Sequence, residues 1–200
     1  MNARDESKSL DAGFTAERGA LPGATRDRQS ITRDWMPLQH LIDGVVVREV
    51  RNVPKDNGYL TEIWRADWQL DGTVAQVFQA LLGPGAVSAW HAHRHATDRL
   101  FANHGLIKVV LFDARRDSAT AGRVNVFRCG DVRPQLVVVP PGVWHGVQSI
   151  GATPALLLNL PDCEYAYEAP DHWRLPPDTN EIPYSFAAGP RPNADDPGRF

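Results

Sequence analysis

The feature of this sequence that most limits its fold is a series of short apolar segments separated by turn residues. Eight such segments follow one another between residues 44 and 160: GVVVREV, YLTEIW, TVAQVFQALL, AVSAWHAH, IKVVLFDA, RVNVFR, QLVVV and PALLLNL. They are rich in β-branched residues or alternate between apolar and polar positions, and glycine, proline, asparagine and aspartate stand between them. Segments of this length and spacing are typical of an all-β protein rather than of a parallel α/β sheet.

The sequence therefore predicts a single all-β domain, a sandwich or a barrel, and a jelly roll is the arrangement that we expect. The ends of the chain differ from its middle. Residues 1–27 carry scattered charge without apolar periodicity, and residues 187–200 are rich in proline, glycine and aspartate. We expect a flexible leader at 1–27, the folded domain at 28–186 and a flexible tail at 187–200.

The composition excludes several classes of function. A net charge of −3 provides no basic face for a nucleic acid, and no apolar run approaches the roughly 18 residues of a membrane span. Cys129 and Cys163 are too few for a disulfide framework, so we expect a cytoplasmic protein with two reduced thiols. The expected partner is a small molecule rather than a nucleic acid or a membrane.

Four of the seven histidines lie in the stretch WHAHRHATDRLFANHG, residues 90–105. Side chains repeat every two residues along a strand, so a strand over residues 86–93 would place His91 and His93 on one face. In a jelly roll, one face of such a strand is turned to the interior. The cluster is therefore a metal site, a catalytic base with neighbours, or a polar strand with hydrogen-bonded imidazoles.

Two short patterns carry a first resemblance. The pattern G-x5-H-x-H-x4-D-x6-G is formed by Gly85, His91, His93, Asp98 and Gly105. The pattern P-x-G-x-x-H is formed by Pro140, Gly142 and His145. The first resembles the first signature of the cupin superfamily, with aspartate in place of glutamate, and the second resembles the core of the second signature. This resemblance implies one divalent metal, Fe, Mn, Ni or Zn, bound by His91, His93, Asp98 and His145.

Four longer blocks carry a second resemblance: DNGYLTEIWR, PGAVSAWH, GLIKVVLFDARRDSATAGRVN and VVVPPGVWHGVQSIG. The third and fourth contain the patterns D-x-R-x-x-S-x-T-x-G and P-P-G-x-x-H-G. Over residues 42–184 the chain resembles the dTDP-4-dehydrorhamnose 3,5-epimerase family, a cupin-fold group that works without metal. This resemblance implies an epimerase or isomerase that acts on a keto sugar, free or nucleotide-linked, and that needs no cofactor.

The family resemblance also implies roles for single residues. His91 aligns with the base that removes a proton beside the carbonyl, and Asp178 aligns with the carboxylate that orients this base. Arg99 takes the place of the cation that stabilises the enolate oxygen. Three further residues align with the substrate-binding positions of the family: Glu62, His145 and Asn159.

Three positions depart from the family pattern. Asn159 stands where the family has the tyrosine that acts as general acid, and an amide cannot deliver a proton. Ser88 and Asn57 stand where the family has arginines that bind the substrate, and the first of these contacts its phosphate. A charge-assisted hydrogen bond of this kind is worth about 1.5–3 kcal/mol. Because of these departures, the substrate could be a keto sugar that is not linked to thymidine diphosphate.

Three interpretations therefore stand. The first, which we prefer, is a sugar epimerase; the second is a metal-dependent cupin, an oxygenase or an isomerase; the third is a cupin that binds a ligand without catalysis. Members of the epimerase family pair through an exchanged N-terminal strand. GVVVREV, residues 44–50, is a candidate for that strand or for an internal edge strand, and we expect a homodimer.

Overall fold

A computed structural model of the chain describes residues 19, 21–22, 24, 26–27, 29–34, 37–70, 72–187 and 189–190. The chain forms two compact units, residues 1–38 and residues 39–200. In the first unit the amide of Leu38 donates to the carbonyl of Ser30. Most of the predicted leader and most of the predicted tail lie outside the described residues. The described part of the chain contains no helix with the length and apolar character needed to span a membrane.

The second unit is built from short strands. In chain order they are β1 (Val46–Glu49), β2 (Asn52–Lys55), β3 (Gly58–Thr61), β4 (Phe78–Leu82), β5 (Val87–Ala92), β6 (Asp98–His104), β7 (Leu106–Asp113), β8 (Val124–Gly130), β9 (Gln135–Val139), β10 (Val143–Ser149), β11 (Ala155–Asn159), β12 (Trp173–Arg174), β13 (Tyr184–Ser185) and β14 (Gly189–Pro190). A single turn of 3-10 helix, Ala66–Trp68, lies between β3 and β4.

Most of these strands form two five-stranded antiparallel sheets. The order is β1-β9-β6-β11-β4 in the first sheet and β12-β5-β10-β7-β8 in the second. Neighbours in space are distant in sequence, since β5 pairs with β10 while β6 pairs with β9 and β11. The chain therefore passes repeatedly from one sheet to the other, which is the connectivity of a jelly roll. The predicted all-β jelly roll is confirmed.

The two sheets pack face to face around one apolar core. Every second residue of β7 points into it, and Ile107, Val109 and Leu111 are each at most 1% exposed. Leu100 of β6 and Leu157 of β11 belong to the same cluster from the opposite sheet. Full burial of such a side chain contributes about 1.5–3 kcal/mol. The apolar residues that alternate along these strands in the sequence are therefore the ones that form this core.

Each sheet is also covered on its outer face. Residues 63–74 cover the first sheet, where several of their side chains pack with Phe101 of β6. Residues 175–186 cover the second sheet, where Trp90 of β5 is fully buried and its ring centroid lies 5.1 Å from that of Phe186. Strands covered on both faces are apolar on both sides, which explains the consecutive apolar residues LVVV of β9.

All eight predicted segments overlap a strand of the structure. Six strands lie outside them: the two long strands β6 and β10 and the short strands β2, β12, β13 and β14. The sequences of β6 and β10, DRLFANH and VWHGVQS, place polar residues at inward positions, so their apolar alternation is interrupted. In β10, Gly146 allows a close approach to β5, because a Cβ there would lie 2.5 Å from the Cβ of Ala89. The candidate exchanged strand contains β1, which pairs with β9 of its own chain as an edge strand.

The D-x-R-x-x-S-x-T-x-G pattern builds the turn between β7 and β8. The buried carboxylate of Asp113 accepts a hydrogen bond from Nε of Arg115 at 2.8 Å. The hydroxyls of Ser118 and Thr120 also donate to it, at 2.6 and 2.7 Å. Burial alone would raise the pKa of Asp113, but these donors outweigh it and hold the pKa below its usual range. The pattern therefore stabilises a hairpin in this chain.

Asp113→Asn is expected to lower the free energy of unfolding by about 2–3 kcal/mol at neutral pH, because a buried carboxylate loses the charge that the partly exposed guanidinium of Arg115 and two hydroxyls stabilise. Asp117→Asn changes an exposed carboxylate of the same turn and is the matched control, with an expected effect within about 0.5 kcal/mol. Urea unfolding followed by circular dichroism measures both variants. Equal stability of the two at neutral pH would contradict this role of Asp113.

The difference in unfolding free energy between the wild type and Asp113→Asn is also expected to depend on pH. Because the folded-state pKa of Asp113 is lowered, its stabilisation is fully present above the unfolded-state pKa of about 4 and is lost as the pH falls through the folded-state value. The stability difference between the wild type and Asp113→Asn should therefore shrink as the pH is lowered from about 4.

Candidate active site

Four imidazoles and one carboxylate meet inside one end of the sandwich. His91 belongs to β5 and His93 directly follows it, while His145 lies on β10 and Asp98 on β6. The ring centroid of His145 is 5.8 Å from that of His91 and 5.5 Å from that of His93. The fourth ring, that of His172, lies 5.0 Å from His91 and 4.9 Å from His93. The structure thus brings together the histidines and the aspartate of the two short sequence patterns.

The strands turn these side chains inward for local reasons. In β10, Val143 and Val147 belong to the core between the sheets, so His145, midway between them, shares their face. In β5 a bulge interrupts the pairing with β10. His91 stands opposite His145, and three residues earlier Ser88 stands opposite Val147. Three residues of β5 therefore cover the distance of two in β10, which places Ser88 and His91 on the same inner side.

Asp98 joins the two sheets at this end and is only 3% exposed. Its Oδ1 accepts a hydrogen bond from Nδ2 of Asn159 at 2.8 Å. Its Oδ2 lies 3.2 Å from Nε2 of His93 and 3.1 Å from Nε2 of His145. These two separations are short, yet Oδ2 has no aligned hydrogen-bond donor. Burial alone would raise the pKa of Asp98, but the two imidazoles outweigh it and lower that pKa, so the group is a carboxylate.

Backbone carbonyls hold the other nitrogen of two of these rings. Nδ1 of His93 contacts the carbonyl oxygen of Asp171, and Nδ1 of His145 lies 3.4 Å from the carbonyl oxygen of Val143. A carbonyl oxygen only accepts, so Nδ1 carries the hydrogen in both rings. Burial lowers the pKa of His93, but Asp98 outweighs burial and the pKa is raised. Both rings therefore turn Nε2 towards the same carboxylate oxygen.

His91 has a partner on each ring nitrogen. Oγ of Ser88 lies 3.0 Å from Nε2, and Nε2 of His172 lies 2.9 Å from Nδ1. These contacts fix the ring and leave neither nitrogen for Asp178, which is exposed on the surface. The expectation that Asp178 orients His91 is therefore corrected, because His172 occupies that place.

The pKa of His91 is lowered to about 3, first by burial and then by the nearby imidazoles of His145 and His172. The pKa of His172 is also lowered, first by burial and then by the guanidinium of Arg174. Both rings are neutral at neutral pH as a result. In a hydrogen bond between two neutral imidazoles, one nitrogen carries the hydrogen and the other offers a lone pair.

Sequence reasoning missed His172 and its neighbour Asp171. The carboxylate of Asp171 accepts hydrogen bonds from the backbone amides of Arg94 and His95, at 2.8 and 2.7 Å, and so ties this segment to the turn after β5. His172 and His91 are 81 residues apart in the chain. The only signal in the sequence was an adjacent acid and imidazole in a segment where the family resemblance implied a carboxylate.

Two further expected site residues lie away from the cluster. Arg99 is fully buried, but it follows Asp98 on β6 and therefore faces the outer side of the first sheet. There its Nη1 donates to the carbonyl oxygen of Leu160 at 3.2 Å. Glu62 is exposed and forms an ion pair with Arg65 at 3.0 Å. The expectation that Arg99 faces the same cavity as His91 is thus corrected.

A cavity of about 300 Å³ lies beside the β2–β3 hairpin and the outer side of β6. Its walls include Tyr59, Phe101 and Asp131, and none of the clustered imidazoles lines it. The reactive groups of the molecule therefore lie apart from this cavity.

No protein-family model matches the chain. The chain is similar to a probable low-salt glycan biosynthesis epimerase, Agl13, of Haloferax volcanii, with 36% identity over 141 residues that cover 68% of this chain and 89% of that protein. It is also similar to the spore coat polysaccharide biosynthesis protein SpsL of Bacillus subtilis. Here the identity is 33% over 146 residues, which cover 73% of this chain and 97% of that protein.

Among solved structures, the dTDP sugar isomerase of Desulfovibrio desulfuricans G20 superimposes with a TM-score of 0.70 and 30% identity. The match covers 74% of this chain and 94% of that protein. These similarities extend over most of each relative and include the jelly roll described above. The chain belongs to the dTDP-4-dehydrorhamnose 3,5-epimerase family of sugar epimerases.

Proposed function

We propose that this protein epimerises a keto sugar carried on a nucleoside diphosphate, and that His91 removes the proton beside the carbonyl. The observation that carries the proposal is the pair of contacts on His91, which hold a neutral imidazole between Ser88 and His172. The relatives agree with this chemistry, since one is named as an epimerase of glycan biosynthesis and another as a dTDP sugar isomerase. Proton transfer of this kind needs no organic cofactor.

The hydrogen bond to His172 sets the direction of the base. When Nδ1 of His91 donates its hydrogen to Nε2 of His172, the lone pair of His91 lies at Nε2, on the side of Ser88. This lone pair takes the proton from the sugar carbon. The imidazolium that forms keeps its hydrogen bond to His172. His172 thus has the positioning role that we first expected of Asp178.

Inversion at a carbon also requires that a proton return from the opposite side. Asn159 does not supply it, because its amide donates to Asp98 and accepts from the backbone amide of Arg99 at 3.1 Å. The exposed rings of Tyr165 and Tyr167 lie against each other, with their centroids 5.3 Å apart. Exchange of the first proton with solvent does not depend on the donor of the second proton. It therefore measures the action of His91 by itself.

A cation for the substrate's diphosphate stands beside the base. Ser88 replaces the family arginine that contacts phosphate, but Arg174 of β12 lies directly across from His91 in the strand pair. Residues directly opposite in an antiparallel pair project on the same side of a sheet. The exposed guanidinium of Arg174 therefore takes over the contact with an anionic group of the substrate.

The first sheet offers an edge for a homodimer. β4 lies at the end of the first sheet, and Val77, Phe78 and Leu81 are 58%, 47% and 73% exposed there. An exposed apolar edge strand is a template for pairing with a second chain. The dimer forms along this edge. The protein acts in the cytoplasm on a small-molecule substrate, and its two free thiols fit a reducing compartment.

His91→Gln is expected to slow deuterium exchange from solvent into a nucleotide-linked 4-keto sugar by about 10²–10⁴-fold, because the base is lost. His172→Phe should slow the same exchange by a smaller factor, since the ring of His91 remains but is no longer oriented. His95→Gln, the same substitution at an exposed histidine, is the control. Mass spectrometry of the sugar measures exchange. Wild-type exchange in His91→Gln would refute the proposal.

Arg174→Gln should weaken the binding of thymidine diphosphate by about 10–100-fold, because a charge-assisted contact with phosphate is worth about 1.5–3 kcal/mol. Arg116→Gln removes an exposed guanidinium in the β7–β8 turn and serves as the matched control. Isothermal titration calorimetry gives the dissociation constants. An unchanged value for Arg174→Gln would place the phosphate contact elsewhere.

Light scattering should give the wild type a mass of about twice 22.1 kDa at micromolar concentration. Leu81→Glu, which puts a charge on the β4 edge, should shift the protein to the monomer mass. Val132→Glu has the same type of change at a residue that is 94% exposed in the β8–β9 turn, and it should stay dimeric. A monomeric wild type would rule out the dimer.

A further inference from the structure

We infer that His93, Asp98 and His145 form a binding site for one divalent transition metal ion, next to the base His91. The donor set suits ions that accept two imidazoles and one carboxylate, of which Fe²⁺ and Zn²⁺ are examples. The role of the ion in catalysis rests on the proposed function, whereas the binding of the ion does not.

The spacing of the three donor atoms fits a coordination sphere. Metal bonds of about 2.0–2.2 Å to nitrogen and oxygen place neighbouring ligand atoms about 3.0–3.4 Å apart. Oδ2 of Asp98 lies 3.2 Å from Nε2 of His93 and 3.1 Å from Nε2 of His145. The three atoms all lie within 4.8 Å of one another. These separations are those of two edges of a metal polyhedron.

The directions of the lone pairs agree with the distances. Nδ1 of His93 and Nδ1 of His145 face backbone carbonyls, so in the neutral rings the lone pairs lie at Nε2 and point towards Asp98. Oδ2 of Asp98 is buried and has no aligned hydrogen-bond donor. The three donor atoms thus face a common point, and a cation placed there would take the place of protons that the two rings otherwise share with Asp98.

The hydrogen-bond partners of the three side chains are also of the kind found at metal sites. Metal-binding histidines commonly donate their second nitrogen to a carbonyl or a carboxylate, and metal-binding carboxylates are themselves hydrogen-bonded. His93 and His145 each meet a carbonyl, and Oδ1 of Asp98 accepts from the amide of Asn159. The position of Asn159, where the family has tyrosine, thus serves the carboxylate of this site.

His91 is not one of the ligands. Both of its nitrogens have other partners, Ser88 and His172, so the set of four that the cupin resemblance implies becomes a set of three. Three protein ligands leave coordination positions open, which is typical of catalytic sites. A cation held there would supply positive charge for an enolate oxygen, a role that Arg99 cannot fill from the outer side of β6.

The test uses the untagged full-length chain, stripped with a chelator and titrated with Co²⁺ and Zn²⁺. The visible absorption of Co²⁺ reports the ligand set, and calorimetry with Zn²⁺ gives the affinity and a stoichiometry near one ion per chain. His93→Gln should weaken binding by at least about 100-fold. His91→Gln, the same substitution two residues away, should retain it. Circular dichroism confirms that each variant is folded.

Two results would overturn the site. In the first, the folded wild type takes up neither ion. In the second, His91→Gln loses as much affinity as His93→Gln, which would make His91 a ligand. As a further readout, Zn²⁺ should raise the melting temperature of the wild type and leave that of His93→Gln unchanged.

The outcome for this site is separable from the outcome for the proposed function. Metal binding without any deuterium exchange into keto sugars would uphold the site and refute the epimerase. Deuterium exchange by a chain that takes up no ion would uphold the epimerase and refute the site.

Discussion

The interaction on which this structure depends is the approach of one buried carboxylate to two imidazoles across the gap between the sheets. Asp98 belongs to the first sheet, whereas His145 belongs to the second and His93 directly follows β5 of that sheet. Oδ2 of Asp98 lies within 3.2 Å of both rings. A buried carboxylate without partners is strongly destabilising. This end of the sandwich can be polar only because the amide of Asn159 and the two rings surround that charge. The neighbouring core between the sheets is an apolar cluster, so the clustered imidazoles are confined to this end of the sandwich.

Much of this arrangement could be predicted from the sequence because it follows from local patterns. Eight strands carry the alternation or the apolar runs that burial imposes, and the H-x-H spacing predicts that His91 and His93 share a face. β6 and β10 escaped prediction because they carry Asp98 and His145 at inward positions. A strand that contributes to a site loses part of the apolar pattern by which strands are recognised.

The residues that could not be predicted depend on long-range contacts or on the side of a strand. His172 reaches His91 only because β12 pairs with β5, and nothing local to either residue indicates that pairing. Arg99 is a different case. Adjacent residues of a strand point to opposite faces, so once Asp98 faces the interior, Arg99 must face outward. A family alignment assigns roles by position in the chain, whereas this constraint comes from the strand itself.

The departures from the family pattern are related to one another. Ser88, in place of an arginine, contacts the base without bringing a permanent positive charge against it. His172, in place of a carboxylate, holds His91 without adding a negative charge. Asp98 is then the one carboxylate in direct contact with the clustered rings among the residues that the structure describes. In the proposed reaction, the transfer of a proton from a sugar carbon to His91 would create an enolate and an imidazolium together, so the total charge of the site would not change. A site with a single carboxylate can therefore accommodate this step, provided that fixed dipoles and cations already face the two new charges.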